Sequence, residues 1–295
     1  MNAKQKDKVA TAVLYVISFL VVLLLVSFIS YIIYQGRSSL NISFLTTGPK
    51  FDEAGGGIGP QLFNSFYLLV IALIITIPIG VGAGIYLSEY AKEGPFLNVI
   101  RLCIETMASL PSIVVGLFAM LVFVNMTGWG YTLLAGALAI TVLNLPAMTR
   151  VCENAIKVAS VGVEEASLAL GATKWQTIRK VTLPTAMPQI LTGIILAAGR
   201  IFGEAAALLY SAGMSAPMLR FNDVSLIDKA SPFSLFRPAE TLSVYIWQLN
   251  SEGIVPDAAK IAAGAAAVLV IMVLLFNFLA RYIGKKIYDS YTGVK

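Results

Sequence analysis

The sequence predicts an all-α, polytopic membrane protein with about six transmembrane helices. Three observations lead there. Of 295 residues, 58 % are hydrophobic and only 13 % are charged, against about 25 % charged in a soluble domain. The charge is bunched, leaving Val9–Gly36, Ala54–Ser88, Thr106–Thr149 and Ile261–Ala280 with none. Roughly 20 apolar residues in helical form cross a bilayer core, and these stretches are long enough.

In chain order the expected spans are about 11–34, 62–88, 107–126, 132–150, 189–212 and 261–283. The first exceeds the h-region of a cleaved signal and has no A-x-A-like site after it, so it is expected to remain as a span. The third and fourth share one uncharged stretch, split at "NMTGWGYT" (125–132). The division expected is an N-terminal span and outer loop (1–60) and a core (61–295) with a long cytoplasmic loop at about 151–188. Six spans put both termini on one side of the membrane. That side carries 14 of the 21 Lys and Arg residues, which makes it cytoplasmic. The net charge of +5 is then largely membrane anchoring and calls for no nucleic acid.

Outside the spans, "AGGGIGP" (54–60) reads as a flexible lead-in to span two, and 239–250 as a short amphipathic helix. Pro78, Pro111 and Pro146 remove backbone donors inside or beside spans. Gly80/Gly84 and Gly199/Gly203 are small-xxx-small pairs suited to close helix approach.

Several chemistries are excluded. There is no histidine, which removes imidazole acid–base catalysis and most zinc sites. No clustered nucleophile and base appears, so an intramembrane enzyme is disfavoured and no cofactor is expected. Cys103 and Cys152 fall near the cytoplasmic face, where a structural disulfide is not expected. No G-x-x-x-x-G-K-[ST] loop is present, so ATP is not bound by that route.

Two features carry function. The first is "EEASLALGATKWQTIRKVTLP" (164–184). Glu164–Leu170 favours helix, Gly171 interrupts it, and Thr173 with Gln176 forms a capping-box pattern that starts a second helix. Pro184 is expected to end that helix. Such a small pair cannot bury a core alone, so it packs on its own spans or on another protein. The second is "LAAGRIFGEAAALLYSAG" (196–213), where Arg200 and Glu204 stand four apart in an apolar span. Four apart on one helix places them on one face. They are either a neutral pair pinning helices together or a site where Arg200 meets a passing anion with Glu204 steadying it. An arginine suits an oxyanion because its planar fork donates two parallel hydrogen bonds. Arg150, in "NLPAMTR", is either a second cation on that path or a positive-inside anchor.

The 164–184 segment resembles the EAA motif of permease subunits of ABC importers: Glu165, Ala166 and Ser167, then Gly171, then Val181, Leu183 and Pro184 at the family's spacing. That resemblance implies a coupling helix seated in a separate ATPase, with Trp175 filling an apolar hole. "GRIFGEAAALLYSAG" (199–213), "SLPSIVVGLF" (109–118) and "GGGIGPQLFNS" (55–65) further resemble PstA-type permeases of the Pst phosphate importer. The family's Thr and Pro after the glutamate are replaced here by Ala205 and Ala207, which puts a helix break at 207 in doubt. The resemblance implies a type I ABC importer permease fold and Arg150 and Arg200 on a phosphate path. It also implies a PstC-like second permease, a PstB-like ATPase dimer and a PstS-like binding protein as partners. Another oxyanion (phosphonate, sulfate or molybdate) is the alternative cargo, and an ion-coupled secondary transporter the alternative class.

Overall fold

Helix α1 (Ala3–Gly36) opens the chain and packs lengthwise on the last helix, α12 (Ala258–Thr292). Its apolar window has no buried residue, so nearly all of its surface is left for lipid. Only at its end does it approach closely: a Cβ on Gly36 would run into the Ala263 carbonyl and Ala267. This computed structural model describes residues 3–50, 54–215, 217, 219, 224–253 and 255–292. Arg220 and Lys295, counted in the charge asymmetry, lie outside them. Among the described residues there is no strand, and five helices are long and apolar enough to cross a membrane, with a bent helix pair as a sixth candidate.

The bundle is built around α3 (Gly59–Ile85), α6 (Leu133–Ser160) and α9 (Leu183–Gly203). The pair Gly80/Gly84 does what its spacing suggests. Gly80 lies against Met148 and Gly84 against Cys152, with no room for a Cβ at either. Gly199 and Gly203 do not, since Gly199 has only Asn277 nearby and Gly203 faces open space. Cys152 is buried in the α3–α6 contact and Cys103 is exposed.

The expected third span is shorter and bent. Helix α4 (Pro95–Ala108) meets the segment Ser112–Met126, which begins as α5 (Ser112–Ala119), at 99°. Pro111, with its fixed φ and no N–H, stands at the corner. Residues 107 and 108 therefore belong to the transverse helix. Helix α6 runs ten residues past the expected end of span four, carrying Arg150 inside one unbroken 28-residue helix.

Two loops also depart from expectation. The glycine run is a packed turn, because Gly56, Gly57 and Ile58 are buried and a Cβ on Gly57 would collide with Thr47. The N–H of Gly57 donates to the Gly48 carbonyl (2.9 Å) and that of Ile58 to Phe44 (2.8 Å). The short helix α2 (Ile42–Thr46), capped by Asn41, supplies that partner surface. Span five stops early at Gly203. Glu204 is extended (φ −74°, ψ 130°), and one helical turn, α10 (Ala206–Leu209), follows. The outer amphipathic helix expected at 239–250 is α11 (Leu242–Glu252).

The two ends of the bundle differ. Among the described residues, the loop end gathers 37–50, 54–58, 206–215, 224–253 and 255–257 over a cluster that includes Phe44, Ile58, Leu242 and Tyr245. The terminus end gathers Met148, Cys152, Ile156, Ala186 and Ile190.

Candidate functional site: the α9 face and its hairpin

Helix α9 presents one exposed position per turn: Thr185, Gln189, Thr192, Leu196, Arg200 and Gly203. Spacings of three and four place them in a single stripe. A polar stripe on a membrane helix belongs against a wet cavity or a partner, since intramembrane ionisable groups are costly against lipid. Arg200 borders a cavity of about 160 Å³ that it shares with Asn144, Met148, Val151, Gly193 and Ala197.

Arg200 and Glu204 do not pair. The helix ends between them, so the shared face that a continuous helix would provide is lost. Glu204 is used elsewhere: its Oε1 accepts from the Ala207 N–H (3.4 Å), capping α10, and its carbonyl accepts from the Ser243 hydroxyl. The helix break thus arises without a proline at 207. The alanines have their own role. Gly116 of "SLPSIVVGLF" rests on the backbone of Ala206 and Ala207, where a Cβ would come within 2.9 Å of the Ala207 Cα. Two of the motifs read from the sequence meet at this contact. Among the described residues Arg200 has neither an ion pair nor a hydrogen bond.

Arg150 is placed differently. Its guanidinium pairs with Glu105 on α4 at 3.3 Å. On α6, Asn144, Ala147, Met148 and Val151 face the Arg200 cavity, and at 100° per residue Arg150 points about a third of a turn away. The structure does not bring the two arginines together. Arg150 holds α4 to α6 alongside Arg101, which bonds Glu153 at 2.8 Å.

The EAA segment is a hairpin at the terminus end. Helix α7 (Val163–Ala169) carries Glu165 and Ala166, and Gly171 turns the chain with φ +85°, a conformation that disfavours any side chain with a Cβ. Helix α8 (Lys174–Thr177) starts with both capping-box bonds, Gln176 N–H to Thr173 Oγ1 (3.3 Å) and Thr173 N–H to Gln176 Oε1 (2.9 Å). The Ser167 and Thr177 hydroxyls lie 2.8 Å apart and tie the arms. Pro184 does not end the second helix. A π-helical turn (Ile178–Thr182) joins α8 to α9, and Leu183 and Pro184 begin α9, where a missing proline N–H is tolerated. Hairpin and span form one helical run from Lys174 to Gly203. Lys174, which the sequence offered only as charge, reaches both Glu89 and Glu164 at 3.6 Å and so docks the hairpin on the end of α3. The tip itself is unpartnered: Leu170 is 90 % exposed and Trp175 55 %.

Sequence reasoning missed a second polar constellation at the loop end. Arg237 is fully buried. It donates to the carbonyls of Pro232 (2.8 and 3.1 Å) and Pro238 (3.0 Å) and to Asn64 Oδ1 (2.7 Å). Asn64 Nδ2 in turn donates to the Glu240 carbonyl and Gln61 Nε2 to the Glu240 carboxylate, both at 2.9 Å. Burial pushes the Glu240 carboxyl up to about 7 and Arg237 down to about 10. The available signal was "QLFNS", whose polar residues fall on one face of the first turns of α3.

These features define a polytopic membrane protein with an exposed hairpin. Residues 76–289 match the family "Binding-protein-dependent transport system inner membrane component", and the chain belongs to it. It is 52 % identical over 293 residues (99 % of this chain, 100 % of the relative) to the Bacillus subtilis (strain 168) "Probable ABC transporter permease protein YqgI". It is 33 % identical over 257 residues (85 % and 81 %) to the Yersinia pestis "Phosphate transport system permease protein PstA". Among solved structures, a permease chain of a bacterial alginate ABC transporter aligns with TM-score 0.65 at 16 % identity (97 % and 96 % covered). A chain of the inward-facing MetNI methionine ABC transporter aligns with TM-score 0.56 at 23 % identity (78 % and 94 % covered). The fold is that of type I ABC importer permeases. The chain is thus a multi-pass subunit of an ABC importer, in which ATP is hydrolysed on a separate subunit.

Proposed function

We propose that this permease imports phosphate, pairing with a PstC-like permease around a shared path, a PstB-like ATPase dimer and a PstS-like binding protein outside the plasma membrane. Both termini and the hairpin are cytoplasmic in this reading, in keeping with the Lys/Arg excess on that side. The observation that carries it is Arg200, unpaired on the exposed stripe of a helix continuous with the docking hairpin.

The chemistry follows from that arrangement. A guanidinium with no carboxylate partner keeps its donors for a tetrahedral oxyanion. The desolvation penalty of a charge within the membrane is offset only when a counter-charge or water is present, so the site favours an anion while the path is occupied. Glu165, Ala166, Gly171 and Trp175 form the knob for the ATPase, and Leu183 and Pro184 lead the run into α9. Lys174 and Arg200 are 26 residues apart, or about 40 Å of helix. Closure of the ATPases on ATP would displace the knob, and an uninterrupted helical run transmits that displacement to Arg200.

Phosphate uptake into liposomes that hold the complete complex, with sulfate as competitor, tests the reading. ATP-dependent uptake of phosphate that excess sulfate leaves unchanged is expected. Uptake of sulfate in its place would reassign the cargo to another oxyanion. Uptake driven by an ion gradient with no ATPase present would replace the class.

A further inference from the structure

The exposed face of α9 borders a second cavity toward the terminus end. It holds about 350 Å³ between α9 and α12 and is walled by Leu191, Ile195 and Leu196 with Thr192. Across from them stand Arg281 and Lys285, one turn apart on α12 and on one face of it. Among the described residues no carboxylate lines the cavity. Neither cation makes an ion pair or hydrogen bond among the described residues. The Thr192 hydroxyl is already spent on the Pro188 carbonyl (2.9 Å).

A simple positive-inside anchor projects its charge into water and encloses nothing. Here two uncompensated cations face a concavity of ligand size, with apolar walls that raise the effective strength of any charge pairing. Two like charges this close repel, and an anion between them reverses the sign of the interaction. Leu196 also lines the Arg200 cavity, so the two cavities share this leucine in their walls. Arg200 and Thr192 are eight residues apart, about 12 Å along the helix.

We infer that Arg281 and Lys285 form a second site for a phosphate group, which shares Leu196 with the Arg200 cavity. For a free anion this site is the inner station of the path and rests on the permease reading above. The same chemistry fits the headgroup of an anionic phospholipid, whose chain would lie on Leu191 and Ile195.

The test uses the full complex with Arg281→Gln/Lys285→Gln, and Lys286→Gln as a neighbouring charge outside the cavity. Each is reconstituted in phosphatidylcholine vesicles, with and without phosphatidylglycerol. With inorganic phosphate as the probe in phosphatidylcholine alone, the double variant should take up phosphate about tenfold more slowly, the loss of one charge-assisted contact, while Lys286→Gln stays near wild type. If the source is the headgroup, uptake in phosphatidylcholine is unchanged, but the double variant retains less phosphatidylglycerol by native mass spectrometry and loses any stimulation by it. Uptake and lipid retention both equal to wild type would overturn the site. The swap Arg281→Lys/Lys285→Arg keeps both charges and should restore function, which separates charge loss from misfolding. A wild-type complex that takes up no phosphate would defeat the phosphate-import reading, while lipid retention still decides the site.

Discussion

Two arginines of the same bundle are treated in opposite ways. Arg237 is fully enclosed, with donors placed on two proline carbonyls and Asn64. Arg200 lies exposed at the end of α9 with its donors unclaimed. A buried charge must be hydrogen-bonded to persist, so Arg237 reports on structure. A charge left open on a membrane helix calls for water or a counter-charge from outside the helix, and the cargo anion is the partner we propose for Arg200. The distinction between structural and functional cations lies in the partners, and residue type alone does not reveal it.

The largest expected effect comes from breaking the enclosed member. Arg237→Ala strands Asn64 Oδ1 and two carbonyls, each worth about 1–3 kcal/mol when left unsatisfied. Thermal unfolding in detergent should show loss of a folded subunit, and a stable Arg237→Ala protein would mean that the loop end is held elsewhere. Arg200→Gln should do the reverse, leaving unfolding within about 0.5 kcal/mol of wild type while uptake falls below detection. Arg200→Lys keeps the charge and loses the fork, so transport should still fall, by about tenfold. Because Glu204 caps α10 and does not pair with Arg200, adding Glu204→Gln should give no rescue. Restored uptake in that double variant would revive the structural pair.

The hairpin sharpens the contrast from a third side. Trp175→Ala removes an exposed aromatic and should leave subunit stability unchanged, while docking of the ATPase weakens by about 2 kcal/mol or more, as for a hot spot. Gly171→Val places a β-branched residue at φ +85° and should act the same way through the turn, seen as poor co-purification of the ATPase. A further effect, set by pH, concerns Glu240. Its carboxyl sits at about 7 in the fold, above its ordinary value, so the native state holds a proton that the unfolded chain releases. Stability should therefore decline from about pH 4.5 up to about 7 and level off above, by at most about 1.4 kcal/mol per pH unit. Glu240→Gln should flatten that slope in melting temperatures taken from pH 5 to 8.

Much of this was legible in the residues. Apolar length placed the spans, Gly80 and Gly84 marked a close helix contact without naming its partner, and Thr173–Gln176 placed the start of α8. These are local signals, and local physics decides them. What failed was context. Pro184 reads as a stop, but a helix can take a proline in its first turn when a π-helical turn precedes it. Arg200 and Glu204 read as neighbours because spacing implies a helix, and nothing in "GRIFGEAA" announces the break after Gly203. Arg150 reads either as a second path cation or as a positive-inside anchor, and its pairing with Glu105, 45 positions earlier, leaves no local mark. The Arg237–Asn64–Glu240 network joins residues more than 170 positions apart, beyond the reach of any periodicity.

The two thiols have a practical consequence. Cys152 is shielded between α3 and α6, while Cys103 is exposed on the transverse helix α4. The native chain therefore offers one reachable attachment point for a maleimide fluorophore, two residues from the Arg101 that anchors α4 and two from the Glu105 that receives Arg150. An emission colour read from that dye in vesicles would give the depth of α4 relative to the bilayer, and its change during turnover would show whether this helix tilts, all without an engineered cysteine.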